Sequence, residues 1–207
     1  MREKKKMRFR KQKRQSGSFW EKEYKSGEHL ALSTNASEDL QKFIRWLSRE
    51  HGSENGYTAP NISVADLGTG NGRNLMYLAR AFGIKGTGFD ISREAIARAK
   101  IAGKDLPLEF FVRSIAEPIP LPNESQDIVL DMMTSHFLNS EERARLLKEI
   151  SRILKPGGFL FFKTFLLDED AHAARLLREH PAGEHGSYVH PEIGKAEHVF
   201  TEDEIIT

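Results

Sequence analysis

Between residues 37 and 165 the chain alternates between two hydrophobic periods. "SEDLQKFIRWLSRE", residues 37 to 50, sets Leu40, Phe43, Ile44 and Leu47 at helical spacing, behind Asn35 and Ser37 as candidate caps. "SVADL" (63–67) is a short buried run and predicts a strand; after a glycine loop comes a helix with Leu75, Leu78, Ala79 and Phe82 facing inward. "KGTGFD" (85–90) predicts a second strand, and Ser92 can cap the helix "REAIARAKIAG", which stops at Gly103. "LEFFVRS" (108–114) and "QDIVLDMM" (126–133) are the third and fourth strands. A helix from about Ser140 ends at "LKPGG", where Pro156 and the glycines cannot continue it, and "FLFFKTF" (159–165) makes the fifth strand.

Short β-rich runs alternating with helices imply right-handed crossovers, hence a doubly wound, mostly parallel, Rossmann-like α/β sheet with helices on both faces. Ligands of such sheets sit beyond the carboxyl ends of the strands, where "VADLGTGNGRN" (64–74) falls. A loop that passes close under a ligand lacks side chains, and the helix that follows aims its amides at a negative group. The dinucleotide fingerprint G-x-G-x-x-G needs its third glycine at position 73, which is Arg, and this spacing disfavours a nicotinamide oxidoreductase.

The spacing here is G-x-G-x-G over Gly68, Gly70 and Gly72, with Asp66 two residues before it. This resembles motif I of the class I S-adenosylmethionine-dependent methyltransferases. Asp90 in "GTGFDIS", "PIPLPNESQDIVL" and "LLKEISRILKPGGFLFF" are similar to later motifs of that family, and the likeness covers residues 61 to 165 in order. The resemblance implies S-adenosylmethionine as cofactor, held by Asp66, Gly68, Thr69, Gly70, Asn71 and Gly72 around its methionine part. It also implies Asp90 with Ile91 at the ribose, and Ser114, Ile115 and Ala116 beside adenine, where many relatives carry Asp in place of Ile115. Arg73 meets the methionyl carboxylate or caps a surface. Trp20 and Tyr24, in "FWEKEYKSGEH" (19–29), belong to a lid over the cofactor or pack against the sheet.

The acceptor side is less defined. "DMMTSHFLN" (131–139) lacks the (D/N)-P-P-(Y/F) tetrapeptide of amino-group methyltransferases acting on adenine or glutamine, leaving Asp131 and His136 as candidate catalytic groups. His136 suits a base if its pKa is unperturbed, yet beside Phe137 and Leu138 it also reads as structural. "HPAGEHGSYVHPEIGKAEHVF" (180–200) is too rich in Gly, Pro and His for a regular element. Residues 166–200 are therefore expected to form an acceptor lid, with Tyr188, His190 and His198 as contacts and His190 a further catalytic candidate. No histidine spacing matches a metal signature, so no metal is expected.

Composition adds three limits. The 207 residues, 39% hydrophobic, suffice for one domain, and the absence of cysteine excludes disulfides and thiol chemistry. No apolar run reaches the roughly 18 to 20 residues of a membrane helix, and no signal peptide is visible, which fits a cytoplasmic protein. "MREKKKMRFRKQKR" carries nine Lys or Arg against Glu3, a net of +8 within a chain of net +1, so residues 15 to 207 carry −7. Residues 1–15 read as a disordered basic tail. It is an arm for RNA or another polyanion, a solvated tail, or an upstream extension before Met7. The methyltransferase domain then spans residues 16–207. It lacks counterparts of the family's strands six and seven and stops soon after "TEDE" (201–204), a capping box. This predicts a truncated domain with a bare apolar edge on strand five. The alternative reading is a nucleic-acid-binding protein with an inactive or accessory methyltransferase-like domain.

Overall fold

Alternation along β1 (Ser63–Leu67) sends Val64 to one face of the sheet and Ala65 and Leu67 to the other, and each face acquires its own core. The computed structural model describes residues 16–29, 32–52 and 56–206, and the expected tail, residues 1–15, lies outside them. Five parallel strands stand in the order β3-β2-β1-β4-β5, with β2 at Lys85–Asp90, β3 at Leu108–Val112, β4 at Gln126–Met132 and β5 at Leu154–Lys163. The doubly wound α/β expectation therefore holds.

On the first face, Leu40, Ile44 and Leu47 of α2 (Glu38–His51) and Leu75, Leu78 and Ala79 of α3 (Arg73–Phe82) pack with Ile96 and Ala99 of α4 (Arg93–Ala102) over Val64, Ile128 and Leu130. On the other, Leu146, Ile150 and Ile153 of α5 (Ser140–Ile153) cover Ala65, Leu67, Phe89 and Val129. Ser92 accepts from the Ala95 amide as predicted, whereas Ser37, at the start of α2, makes no side-chain cap bond. An unpredicted capping box, Asn139 with Glu142, starts α5. A further helix, α1 (Ser16–Ser26), precedes these and docks on α4: the Glu21 carboxylate accepts from Ser92 Oγ and the Glu94 amide, each at 3.1 Å.

Two boundaries differ from the sequence reading. β5 begins at Leu154 rather than 159, because "KPGG" forms a bulge inside the strand, with Gln126 opposite Leu154 and Ile128 opposite Phe159. Residues 180–200, read as irregular, contain a hairpin of β6 (Ser187–Val189) and β7 (Ala196–His198). The strand-forming stretches there are three residues each, too short for a period to show. With α6 (Ala171–Glu179) the hairpin builds a satellite core of Ala173, Leu176, Tyr188 and Val199. Glu184 ties this unit to α5 through the Ser140 amide and the Arg143 guanidinium. Among the described residues the main sheet ends at β5, and a single bridge, Leu166 with Phe200, continues beyond it. Thr201 and Glu204 form the expected box at α7 (Glu202–Ile206).

Candidate functional site

A cleft of about 770 Å³ opens where β1, β2 and β4 end. Its floor is the loop between β1 and α3, in which Gly68, Gly70 and Gly72 all adopt left-handed φ, of 81°, 56° and 77°. At Gly68 a Cβ would run into the Thr134 side chain and at Gly70 into the Tyr24 hydroxyl, so both positions exclude side chains by contact as well as by conformation. Gly72 plays another part: a Cβ there would sit 2.8 Å from Phe110, which makes it a packing position at the head of α3, outside the cleft lining.

Two carboxylates border this loop. Asp90, the last residue of β2, accepts from the Gly70 amide at 2.9 Å through one oxygen and from the Ser92 amide at 2.8 Å through the other. Burial raises its pKa, against the pull of those amides. Asp66 is 2% exposed and accepts from Thr69 Oγ1 at 2.8 Å. Burial, helped by the neighbouring charges of Asp90 and Asp131 and opposed by the Thr69 bond, pushes it up to about 7.

The walls come from three further segments. Asn71, Arg73 and Asn74 stitch the loop to residues 33–37. Asn71 donates to the Ser33 carbonyl at 3.1 Å, Arg73 to that of Asn35 at 2.9 Å, and Asn74 accepts from the Ser37 amide at 3.0 Å. Arg73 thus fastens a backbone carbonyl while still lining the cleft. Trp20 and Tyr24 of α1 lie across the opening, with Trp20 edge-on to Phe137 at 5.0 Å. On the β3 side Ser114 and Ile115 line the cleft and Ala116 does not; Ser114 Oγ accepts from the Ala116 amide. Asn71 and Ile91 complete the expected set within it.

The acceptor candidates disperse. Asp131 faces the opposite side of the sheet from Asp66, 2% exposed, and accepts from the Ser135 amide at 3.1 Å; burial raises it to about 6, against the hydrogen bonds from Ser135 and Thr134. It fixes the turn carrying Met133, Thr134, Phe137 and Leu138, all of which line the cleft. His136 is 3% exposed, outside the lining, with Nδ1 lacking a partner; burial, and then His198, lowers it to about 3, so it is neutral at ordinary pH. Tyr188 and His198 are interior to the satellite unit, bonded to Glu197 and Ser187, and His190 sits beyond the cleft at the hairpin. These three reach the acceptor only if 180–200 is a loop; strand pairing instead buries Tyr188 in the satellite core and His198 on the opposite face of the hairpin. Among the described residues no group of three or more His, Asp or Glu gathers as metal ligands, and no helix is long and apolar enough to cross a membrane. The sequence reading missed the 33–37 wall and the Glu21 anchor; the polar run "STNAS" before α2 was a visible turn signal, while Glu21 carried none.

Residues 65–162 match a family described as a methyltransferase domain. That match spans just under half of the chain, and with the relatives below it makes the chain similar to the class I S-adenosylmethionine-dependent methyltransferases. Among curated relatives it is 32% identical over 105 residues to an uncharacterized methyltransferase of Synechocystis, covering 51% of this chain and 48% of that one. It is 27% identical to a sarcosine/dimethylglycine N-methyltransferase of Halorhodospira halochloris, over 65% and 48% of the two chains. The X-ray structure of YjhP from E. coli superposes with a TM-score of 0.53 at 25% identity, over 75% of this chain and 59% of that one. The chain spans about half the length of the two curated relatives named here. S-adenosylmethionine is the cofactor of this family, and the bare glycine floor, the Asp90 carboxylate and a cleft within the usual size range for small-molecule sites fit it.

Proposed function

We propose that the protein transfers a methyl group from S-adenosylmethionine to a nucleophile admitted between α1 and the turn after β4. The observation that carries this reading is Asp90. Backbone amides hold both of its oxygens where the residue lines the cleft, and a carboxylate has acceptor capacity left over for the two hydroxyls of a vicinal diol. When bound, the sulfonium supplies an activated methyl carbon. What remains for the chain is holding, aiming and drying, and orientation alone contributes up to about 7–11 kcal/mol.

In this reading the loop from Gly68 to Asn71, with Asp66 and Thr69 beneath it, receives the methionine part. Ser114 and Ile115 flank adenine, and Trp20 and Tyr24 exclude water. Asp131 holds the acceptor-facing turn in place. Neutral, buried His136 supports the same turn from behind, and base catalysis is left to the acceptor's own ionisation or to water. A cytoplasmic setting is part of the proposal, as is a domain running from residue 16, with residues 1–15 as a basic arm that concentrates polyanionic partners near the cleft.

The test is incubation of the full chain with methyl-labelled donor and separate RNA, protein and metabolite fractions. Label transferred into one fraction, with stoichiometric S-adenosylhomocysteine, is the expected result. Absence of transfer to every fraction by protein that binds the donor contradicts it.

A further inference from the structure

A second groove, of about 400 Å³, runs between α2 and α3. Lys42, Arg45 and Arg49 line one side, spaced three and four residues apart and therefore in one row on α2; Tyr77 and Phe82 of α3 line the other. Lys42 shares Asp39 with Lys163. Among the described residues Arg45 and Arg49 have no acidic partner, although both are exposed. The two rings are half-buried and perpendicular, 6.2 Å apart. Tyr77 lies one turn along α3 from Arg73, which lines the cofactor cleft, so groove and cleft are neighbours on one helix.

We infer that this groove is a binding track for single-stranded nucleic acid, with phosphates on Arg45 and Arg49 and a base against Tyr77. Guanidinium groups match phosphate oxygens two at a time, and an aromatic face accepts any base, so a row of cations facing a recessed ring across one groove suits a strand that carries both. An acidic peptide would leave the rings unused, and a lipid surface calls for protruding apolar side chains rather than recessed ones. The acidic balance of residues 15 to 207 argues against a broad nucleic-acid face on the body, so the contact is a narrow one. Binding here is independent of methyl transfer; use of the track to present an acceptor rests on the reading proposed above.

The experiment is fluorescence anisotropy of the full chain with a labelled single-stranded RNA of mixed sequence across a salt series. Arg45→Glu with Arg49→Glu is expected to weaken binding at least tenfold and to flatten the log–log salt slope by about 1.4, for two phosphates at about 0.7 each. Tyr77→Ala weakens binding severalfold with the slope kept. S-adenosylhomocysteine affinity, measured on the same samples, stays at the parent value and reports the fold. Equal RNA affinity in the charge-reversed protein overturns the inference and assigns binding to residues 1–15. Competition by polyglutamate or phosphatidylserine vesicles as effective as by unlabelled RNA overturns it too. Failure of the parent to bind S-adenosylhomocysteine counts against the methyl-transfer reading and leaves the anisotropy result standing.

Discussion

Asp66 and Asp90 are both carboxylates at the same end of neighbouring strands, yet their partners set them apart: Asp90 has two backbone amides, Asp66 a hydroxyl. A carboxyl whose pKa is raised by folding stabilises the fold below the ordinary carboxylate range, and that stabilisation is lost as pH climbs through the folded value, here about 7 for Asp66. Ligand-free protein therefore carries a destabilisation on the order of 4 kcal/mol from this group at pH 8. Asp66→Asn is expected to melt at a higher temperature than the parent at pH 8, with the gap shrinking to about a third at pH 5 and closing below about pH 4, by differential scanning fluorimetry. Neutral His136 works in the other direction: its lowered pKa, about 3, means stability lost as pH falls below its ordinary value. At Gly70 the constraint is steric. Gly70→Ala places a methyl against the Tyr24 hydroxyl on a backbone with φ of 56°, and weakens S-adenosylhomocysteine binding at least tenfold by calorimetry. Adding Tyr24→Phe recovers part of that loss, which separates the clash from the backbone strain.

At the level of elements, what the sequence made legible tracks the length of each periodic run. α2 and α3 showed their apolar faces, and Leu40, Ile44, Leu75 and Leu78 are in the core as read. β1 and β2 were bounded by the glycine loop and by Ser92, and both ends held. The start of β5 was missed because the bulge at Lys155–Gly158 keeps Leu154 paired across a Pro-Gly run that ordinarily ends an element. The hairpin at 187–198 does not show because each strand is only three residues long, and its docking is long-range, Glu184 against the head of α5 and Phe200 against Leu166 beyond β5. The cleft floor was readable from Asp66 to Asp90, whereas the attachment of α1 was not, since Glu21 reaches α4 across 71 and 73 residues of chain. Two element-scale outcomes follow. Asn139→Ala removes the capping box of α5 and costs about 1 kcal/mol in urea unfolding. Glu21→Gln keeps the fold but speeds amide exchange in α1 relative to α3, because a charged acceptor at the head of α4 becomes a neutral one.

In the molecule as a whole, the sheet separates two kinds of polar group. Asp66 and Asp90 face the glycine loop on the α3 side, Asp131 sits on the other face behind the β4 turn, and His136 meets the C-terminal segment at Phe165. Access to the cleft is thus bounded by α1, residues 32–37 and the β4 turn rather than by residues 166–200, which the sequence suggests as an irregular acceptor lid. The Asp90 carboxylate joins the glycine floor to the head of α4 at the centre of the cleft, and one calorimetric comparison tests its role. Titration of S-adenosylhomocysteine into the parent protein and into Asp90→Ala should give one-to-one binding in the parent and at least a tenfold loss in the variant, with both melting as single folded species. No heat of binding in the parent, or equal affinity in the two, would contradict the account.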